Sequence, residues 1–219
     1  MKDANVNKIL VLLFFLSFSY AYAQEATLTQ EDKDALTERI NEKLDDFQDK
    51  LRIVAGSHEK STKQAAVTTA LKLFIGEGNR YLCVDENNVE RWHKPVQVEK
   101  SSKVRGVVIQ SLKSYLNALT LMSGYRYDKV TIDQADVVRI DNINNVGNGK
   151  YMAIATIMQH YYGSKDGKQI LDDYITKTIK LYISESEYTT IRKEIETSNG
   201  KVVFLEPKLS DIKITETWH

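Results

Sequence analysis

His160 stands in the run Gln159-His160-Tyr161-Tyr162, where an imidazole sits beside an amide and two phenols. An imidazole titrates near neutral pH, so in a pocket it is the natural general base or proton shuttle. His160 is therefore the candidate catalytic base, with Gln159, Tyr161 and the more distant Trp92 as candidate ligand-binding side chains. The other three histidines, His58, His93 and His219, lie at no metal-ligand spacing from it or from each other. A zinc site needs three or four convergent ligands, so no metal site and no cofactor is expected. Ser57-His58-Glu59-Lys60 spells Ser-x-x-Lys, but the companion Ser-Asp-Asn and Lys-Thr-Gly elements of that nucleophile system are missing. Gly76-Glu77-Gly78 lacks the third glycine of a dinucleotide fingerprint and reads as a helix terminator. Residues 141–149 carry many oxygen ligands, yet Ile143 interrupts their alternation and no closing Glu follows, so they read as a hairpin connection.

Tyrosine offers a second kind of chemistry. Of the 12 tyrosines, eight fall between Tyr115 and Tyr182. A phenol ring gives a flat apolar face with a polar tip, suited to glycans, peptides or another protein surface. With no acid–base constellation beside it, this enrichment favours binding over catalysis.

The first residues set the compartment. Lys2 and Lys8 precede an apolar run over residues 9–18, and Ala21-Tyr22-Ala23 follows ahead of Gln24. This is the pattern of a secretory signal peptide cleaved between Ala23 and Gln24. The run is shorter than the roughly 20 residues a spanning helix needs. The expected product is a soluble, exported chain of residues 24–219, periplasmic or extracellular, with no stable membrane insertion. Cys83 is the only cysteine, so no intrachain disulfide can form and the core alone must hold the fold. Lys plus Arg number 30 and Asp plus Glu number 30, which leaves no basic footprint for nucleic acid. No Asn-x-Ser/Thr sequon occurs, which favours a bacterial envelope.

The elements that must position these residues divide into a helical first half and a strand-rich second half. Leu36, Ile40, Leu44, Phe47, Leu51 and Val54 recur at steps of three and four, predicting a helix over 30–55. Thr29 with Asp32 reads as its capping box and Gly56 as its stop. Ser61 with Gln64 predicts the start of a second helix, ended by Gly76 and Gly78. Residues 81–84 and 96–99 read as a short hairpin. Val108, Leu112, Tyr115, Leu116, Leu119 and Met122 then predict a third helix, ended by Gly124.

Beyond Gly124 the period changes to two. Strands are predicted over 129–140, 151–162, 174–184, 202–205 and 209–217, with Pro207 marking a bulge or edge. In the third of these, Ile175, Ile179, Leu181 and Ile183 share one face and Thr176, Thr178, Lys180 and Tyr182 the other. Lys177 alone breaks the pattern. Asn148-Gly149, Asp166-Gly167 and Asn199-Gly200 are two-residue hairpin signals, so consecutive strands should pair antiparallel. Residues 185–198 read as a polar excursion between strands. Helices ahead of such a sheet define an α+β domain with the helices on one face.

The order of elements, with segments such as Ala70-Leu71-Lys72-Leu73-Phe74-Ile75-Gly76, Asn148-Gly149-Lys150-Tyr151, Gln159-His160-Tyr161-Tyr162-Gly163, residues 176–183 and residues 209–217, resembles the nuclear transport factor 2-like fold, also called cystatin-like or ketosteroid-isomerase-like. The text is similar to exported proteins of Bacteroidetes with that fold. The resemblance implies a single domain over 24–219, with three helices packed on a strongly bent antiparallel sheet that forms a cone. It implies no activity, because the fold hosts isomerases, dehydratases, hydrolases and binding modules. Enzymes of the fold place Asp, His or Tyr in the cone mouth, and no set of positions here matches their patterns. The leading expectation is a non-enzymatic ligand- or protein-binding accessory module of the cell envelope. An isomerase or dehydratase using His160, and an oligomeric structural protein pairing as a homodimer, are the alternatives.

Overall fold

In the computed structural model, residues 28–84, 89–102, 106–124, 126–147, 149–185, 195–196, 202–203 and 205–218 are described. The leader, the Ala23/Gln24 junction, the Asn199-Gly200 turn and most of 185–198 lie outside them.

Helix α1, Gln30–Ala55, begins where Thr29 closes a capping box with Asp32. The Thr29 amide donates to Asp32 Oδ2 at 2.9 Å, and the Asp32 amide donates to Thr29 Oγ1 at 3.2 Å. The predicted stripe from Leu36 to Val54 is buried along its whole length. Helix α2, Lys60–Lys72, starts from Glu59 with no side-chain cap, so the Ser61–Gln64 box does not form. After it the chain turns sharply through Gly76, Glu77 and Gly78, all at positive φ. A Cβ on Gly76 would meet Tyr81 Cβ at 2.8 Å, and a positive φ is a second reason for glycine there.

Strand β1, Tyr81–Val84, pairs with β2, Glu90–His93, as a separate antiparallel ribbon. The hairpin partner of 81–84 is thus 90–93 and not 96–99. Residues 96–99 contribute instead to β3, Gln97–Ser102, which pairs with β4, Gly106–Ser111. Val108 therefore lies on a strand, and helix α3 is shorter than predicted, Leu112–Thr120. The Ser111 hydroxyl caps α3, accepting from the Ser114 amide at 3.3 Å. An apolar spacing of four is compatible with both a strand and a helix over so short a stretch, and the cap decides where the helix begins.

The remaining strands are β5, Lys129–Ile140; β6, Asn144–Gly147; β7, Lys150–Lys165; β8, Lys168–Glu185; β9, Ile195–Glu196; β10, Val202–Val203; and β11, Leu205–Trp218. Among the described residues the main sheet has seven strands in the path β4-β3-β11-β8-β7-β5, with β6 also on β7. β9 and β10 pair separately. β7 and β8 are joined by the Asp166-Gly167 turn, whose φ values of 51° and 70° match the twist of the strands it links. Pro207 is accommodated opposite Ile183 near the start of β11.

One expectation about the sheet is corrected. It is mixed and not purely antiparallel, because β11 meets β3 in parallel at Ile212 opposite Val98. That contact is brief because β11 is irregular between Leu209 and Ile212. Two carboxylates complete the junction: Asp211 accepts from the Gln97 amide at 2.7 Å and Glu99 from the Ile214 amide at 3.1 Å.

The molecule is an α+β fold in which α1 lies against β5 and β11. One hydrophobic core draws on all three helices and on the long strands. Phe47 of α1 meets Phe74 edge to face at 4.9 Å. Arg39 of α1 donates to the Leu205 carbonyl at 2.8 Å, tying the helix to the last strand. Cys83 is buried, and burial pushes its thiol up from the ordinary value, which keeps it an unreactive core residue. No described helix is long and apolar enough to cross a membrane.

Candidate functional site

β7 and β8 alternate strictly, so neighbouring residues along them face opposite sides of the sheet. Along β7 every odd-numbered residue from Tyr151 to Gly163 is buried. Gln159 and Tyr161 therefore point towards α1 and α3, while His160 and Tyr162 point away. The structure brings Gln159 and Tyr161 together and separates His160 from both.

The inner group is built around Lys177, the residue that breaks the apolar pattern of β8. Lys177 is 4% exposed and Gln159 1%. The Lys177 amine donates to Gln159 Oε1 at 2.9 Å and contacts Tyr161 Oη at 2.5 Å. The Tyr161 hydroxyl donates to Gln159 Oε1 at 3.0 Å. Because its single proton is used there, the 3.0 Å contact between Tyr115 and Tyr161 must be donated by Tyr115 of α3. Gln159 Nε2 donates to Gln48 Oε1 of α1 at 2.8 Å, and Gln48 Nε2 donates to the Ile132 carbonyl on β5. Four elements besides β8 thus meet in one chain of hydrogen bonds: α1, α3, β5 and β7. The amine also lies 4.9 Å from the Tyr161 ring centroid and 5.7 Å from that of Tyr115.

Burial governs the protonation of this group. With desolvation the only cause acting, the Lys177 ammonium is pushed down to about 7 from its ordinary 10.5. Burial likewise pushes the Tyr115 phenol up to about 12, against the opposing effect of its hydrogen bond to Tyr161, and holds the Tyr161 phenol well above its ordinary value. No described carboxylate forms an ion pair with Lys177. Near neutral pH this interior holds an amine poised between charge states, between two phenols that stay protonated.

The outer group lies on the opposite face of the same strands. His160 stacks on Tyr174, with ring centroids 4.2 Å apart and planes 9° apart. Its Nε2 meets Asp172 Oδ1 at 2.5 Å, and the other Asp172 oxygen accepts from Gln169 Nε2 at 2.5 Å. The His160 hydrogen bond is the main reason the Asp172 carboxyl is held below its ordinary value. Across the sheet, His160 of β7 is opposite Tyr174 of β8, and Tyr174 is opposite Trp218 of β11. Tyr174 is 41% exposed and Trp218 59%. The result is an aromatic row over three adjacent strands, with Asp172 at one side.

Trp92 is on β2, 65% exposed, and belongs to neither group. Lys177 was marked in the sequence only as an exception to alternation, and that exception was the available signal. Gln48 and Trp218 gave no signal of their own, and Tyr115 read only as part of the third helix's stripe and of the tyrosine cluster; packing and register bring all three to these sites.

No family model matches this chain, and no curated protein and no solved structure matches it either.

Proposed function

We propose that this chain is an exported binding module of the bacterial cell envelope, released from its leader at Ala23/Gln24 and built on a nuclear transport factor 2-like cone. The α+β make-up, with three helices and one large sheet, supports the fold reading, and the leader pattern supports export. The observation that carries the binding reading is the aromatic row His160, Tyr174 and Trp218 on the outer sheet face.

The exposed rings of Tyr174 and Trp218 can stack against the apolar face of a saccharide, and the adjacent Asp172 carboxylate accepts from its hydroxyls. Asp172 is held in place for that task by His160 and Gln169. The ligand class we assign is therefore a neutral oligosaccharide. Titration calorimetry of the purified protein against neutral oligosaccharides tests this, with Trp218→Ala and Tyr174→Ala as controls. Saturable binding that each variant weakens supports the assignment, whereas binding unaffected by both variants refutes it. Cell fractionation with mass measurement tests the export: a product beginning at Gln24 outside the cytoplasm is expected.

The enzyme reading has one observation in its favour, the inner group around Lys177. It no longer rests on His160, whose ring faces the other side of the sheet.

A further inference from the structure

The main sheet ends in two strands, β5 and β4, and they are finished differently. Bulges interrupt β5 between Gln134 and Asp136 and between Val137 and Arg139, and Lys129, Asp133 and Arg139 put charge along it. Helix α1 also ties itself to that strand, through Gln48 on the Ile132 carbonyl and Arg52 on Asp133 at 3.0 Å. Bulges, charge and cover are the devices that keep an edge from pairing with another chain. β4, at the opposite end, carries neither charge nor bulge. Its residues Gly106-Val107-Val108-Ile109-Gln110-Ser111 pair with β3 without a register shift. Val107 is 59% exposed and Ile109 62%.

The backbone of β4 presents the same two residues. The Leu112 amide donates to the Val96 carbonyl at 2.8 Å, and the Gln97 amide is taken by Asp211. Ser111 opposite Gln97 is therefore a pair without mutual hydrogen bonds, and such pairs alternate along an antiparallel ladder. Counting back, Gly106, Val108 and Gln110 bond to β3, while Val107 and Ile109 turn their N–H and C=O groups out from the edge. No described strand pairs with them there. We propose that β4 is a self-pairing edge: a second copy of this chain lies against it, antiparallel, about a two-fold axis through Val108. That register sets Val107 opposite Ile109 of the second copy, and Ile109 opposite its Val107. Each outward N–H then meets an outward C=O, and the exposed apolar side chains of the two copies lie together on one face. A slip by one residue would set outward groups against inward ones. The assembly closes at two copies, because β5 offers no second open edge. The axis runs perpendicular to the sheet, so the outer faces of both copies look the same way. This goes beyond the oligosaccharide reading and does not depend on it.

A strand of 6 residues a side is well short of the roughly 20–30 of a standard interface, so the dimer is a weak one. Sedimentation equilibrium of the purified protein from about 10 μM to about 1 mM should show monomer and dimer in exchange and nothing larger. Strict monomers across that range, or assembly beyond two copies, overturn the proposal. Ile109→Lys puts a charge on the edge without touching the ladder to β3, and should weaken dimerisation about tenfold with an unchanged unfolding midpoint. Ile109→Pro removes an outward N–H that β3 does not use, and should act the same way. A dimer that both variants leave intact, or one that Trp218→Ala abolishes, lies on another surface and overturns the proposal. Oxidative crosslinking reads the register, with Cys83 buried out of the reaction. Val108→Cys sets two thiols directly across the axis, while Val107→Cys sets them on a diagonal, beyond the roughly 7 Å between Cα atoms that a disulfide bridges. Crosslinking of Val108→Cys alone is expected. Crosslinking of neither variant, or of Val107→Cys as readily, overturns the register.

Discussion

The two faces of β7 and β8 are built from alternate residues of the same strands, yet they solve opposite problems. On the inner face Gln159, Tyr161 and Lys177 are taken out of water, so every donor needs an acceptor and the amine gives up its proton easily. On the outer face His160, Asp172 and Tyr174 remain partly in water. Polar contacts there add little to stability and leave the groups available to a ligand. A one-residue step along the strand separates a group that governs stability from one that offers a surface.

The largest expected effect concerns pH on the inner face. The folded-state value for Lys177 lies near 7, below the 10.5 of the unfolded chain, so between those values the unfolded state binds more protons. Stability should therefore rise with pH, by on the order of 4 kcal/mol between pH 7 and pH 10. The full penalty is present below about pH 7. Above pH 10 the trend reverses, because Tyr115 and Tyr161 have raised folded-state values and lose their contribution as the unfolded phenols ionise. Urea denaturation across this range should show the rise in the parent protein and a nearly flat curve in Lys177→Met. Equal slopes for the two would remove the inner face's claim to special electrostatics.

Next in size is Gln159→Leu, which strands the Lys177 amine, the Tyr161 proton and the Gln48 oxygen at once. A loss of about 3 kcal/mol is expected from the unpaired buried groups. A loss below about 1 kcal/mol would mean that the hydrogen-bond chain contributes little. On the outer face, Trp218→Ala should weaken oligosaccharide binding about tenfold, the equivalent of one stacked ring, while leaving the unfolding midpoint unchanged. The smallest effect belongs to His160→Ala. Chemical denaturation should scarcely register it, and NMR titration should show the Asp172 carboxyl moving up towards its ordinary value. A marked destabilisation would show that the two faces are coupled.

Much of the framework was legible in residue order. The α1 stripe, the Thr29–Asp32 box and the Asp166-Gly167 turn each rest on neighbours within a few positions, and all three form as read. The region 96–111 was misread because a short apolar spacing suits either a strand or a helix, and β3 and β4 are settled by long-range pairing. The parallel β3–β11 contact had no local trace at all, since it joins residues 114 positions apart. For the site, the alternation of β8 exposed Lys177 as anomalous but could not say what surrounded it.

The sequence by itself determined the α+β class and, with Cys83 the only cysteine, a core without an intrachain disulfide, because periodicity and composition are local or global sums over the chain. Tertiary structure alone decided that Gln159 and not His160 would face the core, that Trp218 would stand beside Tyr174, and that Lys177 would lie within reach of Tyr161. These are facts of register and packing. They set the distance between groups and their separation from water, and the second of these is what lowers the pKa of the Lys177 ammonium.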